Sequence, residues 1–205
     1  MYRVFVGVGH GGTETGAVAN GLIEKDLNLV IASKCTQVLR EHGVEVLMSR
    51  TKDESDTLTS EISECNAYEP DLAIDIHNNA SGGDGAEVFY SVVGGKGKDL
   101  ATNILDEIVK IGQNSRGIKT RKNEKGFDFY GFIRCTYAPA CIVECAFLDS
   151  KDHEIVDTLE EQNAFGTAIA KGVLKTLGIQ YKAHTKSKVD TAIELLKQAI
   201  SILEV

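Results

Sequence analysis

The chain of 205 residues carries 30 acidic and 22 basic side chains, a net charge of −8 that argues against a nucleic-acid partner, which needs a basic face, and against adhesion to anionic membranes by bulk charge. A hydrophobic content of 42% supports a sizeable core, and the length points to one domain plus an appendage. No apolar run approaches the ~18 residues of a membrane span, and the opening Met1–Gly7 has no signal-peptide h-region, so the expectation is a chain made in the cytoplasm.

Tyr2 to Val8 is apolar and β-branched and reads as a buried strand. A glycine-rich loop follows, then a helix from about Glu24 to His42, with Leu27, Ile31, Cys35 and Val38 at helical spacing and Gly43 as its stop. Val44–Met48 is the next strand, Leu58–Ala67 a helix, and Leu72–Ile76 and Ala86–Tyr90 are strands. A helix is expected from about Asp99 to Ile111. Residues 112–133, rich in Gly, Lys and Arg, are expected to hold one or two edge strands. Cys141–Cys145 is a short strand and Asn163–Leu177 a closing helix. This alternation predicts an α/β layer fold on a mostly parallel twisted sheet flanked by helices. Residues 1–182 would form the domain, and 183–205 a polar linker and an amphipathic helix. The stripe Val189, Ala192, Ile193, Leu196, Ala199, Ile200 and Leu203 points to self-association or docking through that helix. The five cysteines are odd in number and show no CxxC pair, so reduced, buried thiols are expected.

Two strands run into histidine, at Gly9-His10 and at His77, and a third carries Glu144 at the end of an apolar run. In open α/β sheets the ligand crevice lies outside the carboxyl ends of the strands, where these side chains could converge. Glu24, opening the first helix, is aimed at the same edge. One reading is a His₂Glu zinc site with an open position, plus a free carboxylate as acid/base. Taken singly, each histidine reads more readily as a loop or capping residue than as a ligand, and Glu24 most simply as a first-turn acid favoured by the helix dipole. Glu144 is harder to dismiss, because a carboxylate on a central strand is costly to bury unless paired or used. Gly7-x-Gly9-x-x-Gly12 matches a dinucleotide fingerprint, but no helix is expected at Gly12 and the second strand ends Met48-Ser49-Arg50 without a ribose-binding acid. Gly94–Lys98 lacks Walker spacing.

Five ordered blocks carry a resemblance: GHGG at Gly9–Gly12, IEKDLNL at Ile23–Leu29, GVEVLMSR at Gly43–Arg50, DIHNNA at Asp75–Ala80 and PACIVECAFLDS at Pro139–Ser150. From Met1 to about Gln180 the chain resembles the zinc-dependent N-acetylmuramoyl-L-alanine amidases of the Amidase_3 type, found in autolysins, sporulation hydrolases and phage endolysins. The resemblance implies Zn2+ held by His10, Glu24 and His77, Glu144 as catalytic glutamate, and peptidoglycan as substrate. The reaction implied is hydrolysis, by zinc-activated water, of the amide between the lactyl group of N-acetylmuramic acid and L-alanine. It also implies action on the cell wall, after holin-type release or lysis for a chain without a signal peptide. The chain departs from the family pattern at Gly7, where an Asp is usual, at Glu61, where an Arg is usual, and at Ala146, where a Gly is usual. A zinc peptidase acting on stem peptides and a non-catalytic wall-binding module are the competing readings.

Overall fold

A computed structural model describes residues 1–183. In chain order the elements are β1 (Arg3–Val8), the short strands β2 (Val18–Ala19) and β3 (Leu22–Ile23), α1 (Glu24–Glu41), β4 (Glu45–Met48), α2 (Leu58–Tyr68), β5 (Leu72–Asn79), β6 (Ala86–Tyr90), α3 (Lys96–Val109), β7 (Ser115–Lys119), α4 (Gly131–Cys135), β8 (Ala140–Phe147) and α5 (Leu159–Leu177). Six strands form one sheet in the order β4-β1-β5-β8-β6-β7. The first four run parallel, β6 is antiparallel to β8, and β7 is parallel to β6. The fold is α/β on a mostly parallel sheet. None of the described helices is long and apolar enough to cross a membrane.

Side chains alternate across a strand, so each strand feeds two cores. Val4, Val6, Ile74, Ile76, Cys141 and Val143 face α1, α3 and α5 in the larger core. Phe5, Ala73, Phe89 and Ile142 point the other way, where α2 and α4 bring Cys65, Phe132 and Ile133 into a smaller core. Gly7, Asp75, His77, Glu87 and Glu144 are in phase with that second set. The two helices on this face are short, and the polar half of the sheet lies beyond their apolar contacts.

Several boundaries differ from the sequence reading. β5 runs on through His77 to Asn79, because His77 pairs in register with Glu144 of β8; the polar residues end the apolar pattern but not the ladder. The polar stretch after Gly12 contains the β2–β3 hairpin, and residues 112–133 hold one edge strand, β7, followed by the start of α4, a helix too short to show a period. α3 begins at Lys96, and α5 at Leu159, where Thr158 and Glu161 form a capping box. Cys141 and Cys145 are buried free thiols. The expected amphipathic helix lies outside the described residues.

Candidate active site

At the end of β1 the chain turns sharply, and His10 adopts φ 63°, a left-handed conformation rare for a residue with a side chain. The turn is held from below by Arg50, 2% exposed, whose guanidinium donates to the carbonyls of Val8 (3.1 Å), Gly9 (3.3 Å) and Lys25 (2.7 Å). Asn28 also donates to Gly9 O at 3.0 Å. Gly9 is required by close approach, since a Cβ there would stand 2.2 Å from the ring of His77.

Three side chains meet above this turn. Glu24, first residue of α1, sets one carboxylate oxygen 3.3 Å from His10 Nε2 and the other 3.0 Å from His77 Nδ1. One donor atom from each of the three lies within 4.8 Å of the others. Glu24 is fixed by the backbone amides of Ala17 (2.7 Å) and Asn78 (3.0 Å). Burial opposes its charge, but hydrogen bonds from the two imidazoles outweigh burial and hold the carboxyl well below its ordinary value. The hydrogen bond to Glu24 raises the pKa of His10. His77 is raised too: burial disfavours its charged ring, and Asp75 and Glu24 overcome that.

The far nitrogen of each imidazole also meets a carboxylate. His10 Nδ1 lies 3.2 Å from Glu14, and His77 Nε2 lies 3.1 Å from Asp75. A cation would replace these hydrogen bonds to Glu24: with the proton kept on each far nitrogen, the lone pairs of His10 Nε2 and His77 Nδ1 would face the metal, the arrangement in which carboxylates orient metal-binding imidazoles. Two imidazoles, neutral once their near nitrogens give up a proton to a metal, and an ionised carboxylate facing one space are a donor set suited to a divalent cation.

Glu144 flanks the cluster. It is the cross-strand partner of both His77 and Glu87, and its Oε2 is buried without a hydrogen-bond partner among the described residues. Burial pushes its carboxyl up to about 7 in the absence of a cation; a bound cation nearby would favour the charged form. Glu87, by contrast, is held charged by Arg116 at 2.8 Å and by Lys119. Burial opposes its charge, and the two cations more than offset it.

The structure therefore brings together His10, Glu24, His77 and Glu144, all four of the side chains singled out in the sequence. Sequence reasoning missed Glu14, Asp75, Asn28 and Asn78. The signal available for Asp75 was parity, two residues before His77 on one strand. Glu14 sits in a loop with no periodicity to reveal it.

Beneath His77 lies a buried acid pair. Glu61 Oε1 and Asp75 Oδ1 are both buried without hydrogen-bond partners among the described residues, and a Cβ on Gly7 would meet them at 2.3 and 2.8 Å. Glycine at position 7 thus leaves room for the Glu61 carboxyl. Burial, then the charge of Asp75, pushes the Glu61 carboxyl well above its ordinary 4.5. A carboxyl raised in this way binds its proton more tightly folded than unfolded, so its contribution to stability is present below pH 4.5 and is lost as pH rises through the native value. Glu61→Gln is expected to remove that slope and to be more stable than the parent at pH 8 by about 1–3 kcal/mol, the range for relieving an unsatisfied buried group. The two should converge near pH 4. Parallel stability curves for parent and variant from pH 4 to 8 would contradict this.

Residues 4–175 match the family described as Amidase_3, N-acetylmuramoyl-L-alanine amidase. The chain is 32% identical over 207 residues to the N-acetylmuramoyl-L-alanine amidase CwlM of Bacillus licheniformis, covering 93% of this chain and 79% of that one. It is 33% identical over 178 residues to the endolysin of Bacillus phage SPP1, covering 82% of this chain and 62% of that one. Among solved structures it is similar to Cwp6 from Clostridium difficile, with TM-score 0.84 and 36% identity over 86% of this chain and 29% of that one. Fold, ordered blocks and relatives agree: the chain belongs to the N-acetylmuramoyl-L-alanine amidase family, Amidase_3.

Proposed function

We propose that this amidase is zinc-dependent and cleaves the amide between the lactyl group of N-acetylmuramic acid and the L-alanine of the stem peptide, with His10, Glu24 and His77 holding the metal and Glu144 moving the proton. The observation that carries the reading is the three-donor cluster with the unpartnered, buried Oε2 of Glu144 beside it. Both histidines already have their second nitrogen engaged by a carboxylate, so the remaining lone pairs fit a cation. When bound, zinc supplies Lewis-acid polarisation of the amide carbonyl and acidifies water at the site.

The chain's own residues do the rest. Glu24 and the two imidazoles position the cation, and Asp75 and Glu14 fix the ring orientations. Glu144 accepts the proton of the attacking water as the new C–O bond forms, and delivers it to the alanine nitrogen as the C–N bond breaks. The catalytic unit spans residues 1–182, and its place of action is the cell wall.

The purified chain, supplied with zinc and peptidoglycan, should release free amino termini of L-alanine together with intact stem peptides, read by end-group labelling and mass spectrometry. A chelator should stop the release, and zinc restore it. Peptides cut within the stem, with no new L-alanine termini, would mean a zinc peptidase instead.

A further inference from the structure

A cation-lined hollow stands out on this acidic chain. The segment from Arg121 to Phe129 folds back on itself: Phe129 N–H donates to Arg121 O at 2.9 Å and Asn123 N–H to Phe127 O at 2.8 Å. Asp128 fastens it to the sheet edge by accepting from the Ser91 hydroxyl and the Val92 amide, both at 2.7 Å. This hairpin and Arg134 line an open hollow of about 750 Å³. Its lining holds four cations, Arg121, Lys122, Lys125 and Arg134, against one acid, Glu124. Among the described residues none of the four is ion-paired. Arg134 donates only to backbone carbonyls, those of Asp128 and Phe129, which leaves its charge uncompensated. Phe127 is 62% exposed and Phe129 42%, and the Arg121 guanidinium sits 3.7 Å above the Phe129 ring.

Two lines of contact join this hollow to the candidate active site on the same sheet face. Along β7, Lys119 pairs with Glu87, the cross-strand neighbour of Glu144, and Arg121 follows two residues later. Along the helices, Gly131 next to the hairpin abuts Leu58, which opens α2 one turn before Glu61, and Glu61 lies against Asp75, the partner of His77.

Resting on the amidase reading above, the geometry points to a substrate subsite in this hollow that binds free carboxylates of the stem peptide. Charge complementarity selects this occupant: uncharged sugar hydroxyls call for no cluster of four cations, whereas peptide carboxylates match it. A guanidinium held over an aromatic ring is a preorganised fork for a carboxylate. Phe127 and Phe129 offer the apolar surface that aliphatic peptide stems cover. The hairpin is closed by its own backbone hydrogen bonds, so little ordering is left for binding to supply.

The test compares two soluble muramoyl-peptides that differ only in having the peptide carboxylates free or amidated. In parallel, the full chain is titrated by ¹⁵N NMR with an L-alanyl peptide carrying two free carboxylates, and with its diamide. The parent should prefer the free-carboxylate substrate by about tenfold in kcat/KM, the scale of charge-assisted contacts. In the triple variant Arg121→Ala, Lys122→Ala, Lys125→Ala that preference should fall below about twofold, and the free peptide alone should shift amides of residues 121–134 in the parent. Equal kcat/KM on the two substrates, or a preference that survives in the triple variant, overturns the subsite. If the parent cuts neither substrate, the amidase reading fails, and the titration decides the subsite by itself: shifts in the hairpin with the free peptide support it, and their absence overturns it.

Discussion

Replacing His77 by alanine is expected to remove metal and activity together. Only three protein donors face one another among the described residues, and a catalytic site of this kind has no spare ligand. His10→Ala and Glu24→Ala should behave alike, although Glu24 also receives backbone amides from Ala17 and Asn78, so its loss should lower the melting temperature as well. The partners one step out give a graded control. Asp75→Asn and Glu14→Gln leave both imidazoles in place but weaken their orientation, and should cost roughly 10–100-fold in metal affinity or activity. Elemental analysis of each purified variant, alongside hydrolysis of peptidoglycan, checks the series. A His77→Ala protein that keeps one metal per chain and hydrolyses normally would show that the cluster is not the metal centre.

Glu144→Ala is expected to do the opposite: retain the metal and lose turnover by about 10²–10⁴, the range for a positioned acid/base. The separation follows from placement. Glu144 is in register with His77 on the adjacent strand, yet its Oε2 is engaged with none of the three donors, so its removal leaves the cluster's own contacts intact. Glu144→Gln tests the same point with the side-chain volume kept, since an amide fills the space but cannot take a proton from water. Both variants should bind metal like the parent. Wild-type turnover in either would remove Glu144 from the proton path.

Much of the site was legible in the chain because its parts are local. A strand that ends in Gly9-His10, a helix that opens on Glu24, and an apolar run that carries Glu144 each announce themselves within a few residues. The α/β order follows from alternating periodicities, which report local geometry. The boundary errors are of one kind. β5 was expected to stop at Ile76 because hydrophobicity stops there, but a strand is held by its ladder, and the pairing of His77 with Glu144 continues past the last apolar residue. α4 spans five residues and β2 two, too few for any period to show.

Local patterning in the chain thus carries the layer class, the four side chains at stake and the parity that puts Asp75, His77 and Glu144 on chosen sides of their strands. Which side is open is set by long-range packing. Parity sorts residues into two faces but does not say which face receives three long helices and which two short ones; that depends on where each crossover packs. That packing also sets the contacts between residues far apart in the chain: Arg50 under the Gly9 turn, Glu61 against Asp75 over the bare Cα of Gly7, and Glu87 held by Arg116. These pairings have no spacing to read. They exist because burial brings charged and polar groups close together, where each must find a partner or share a proton.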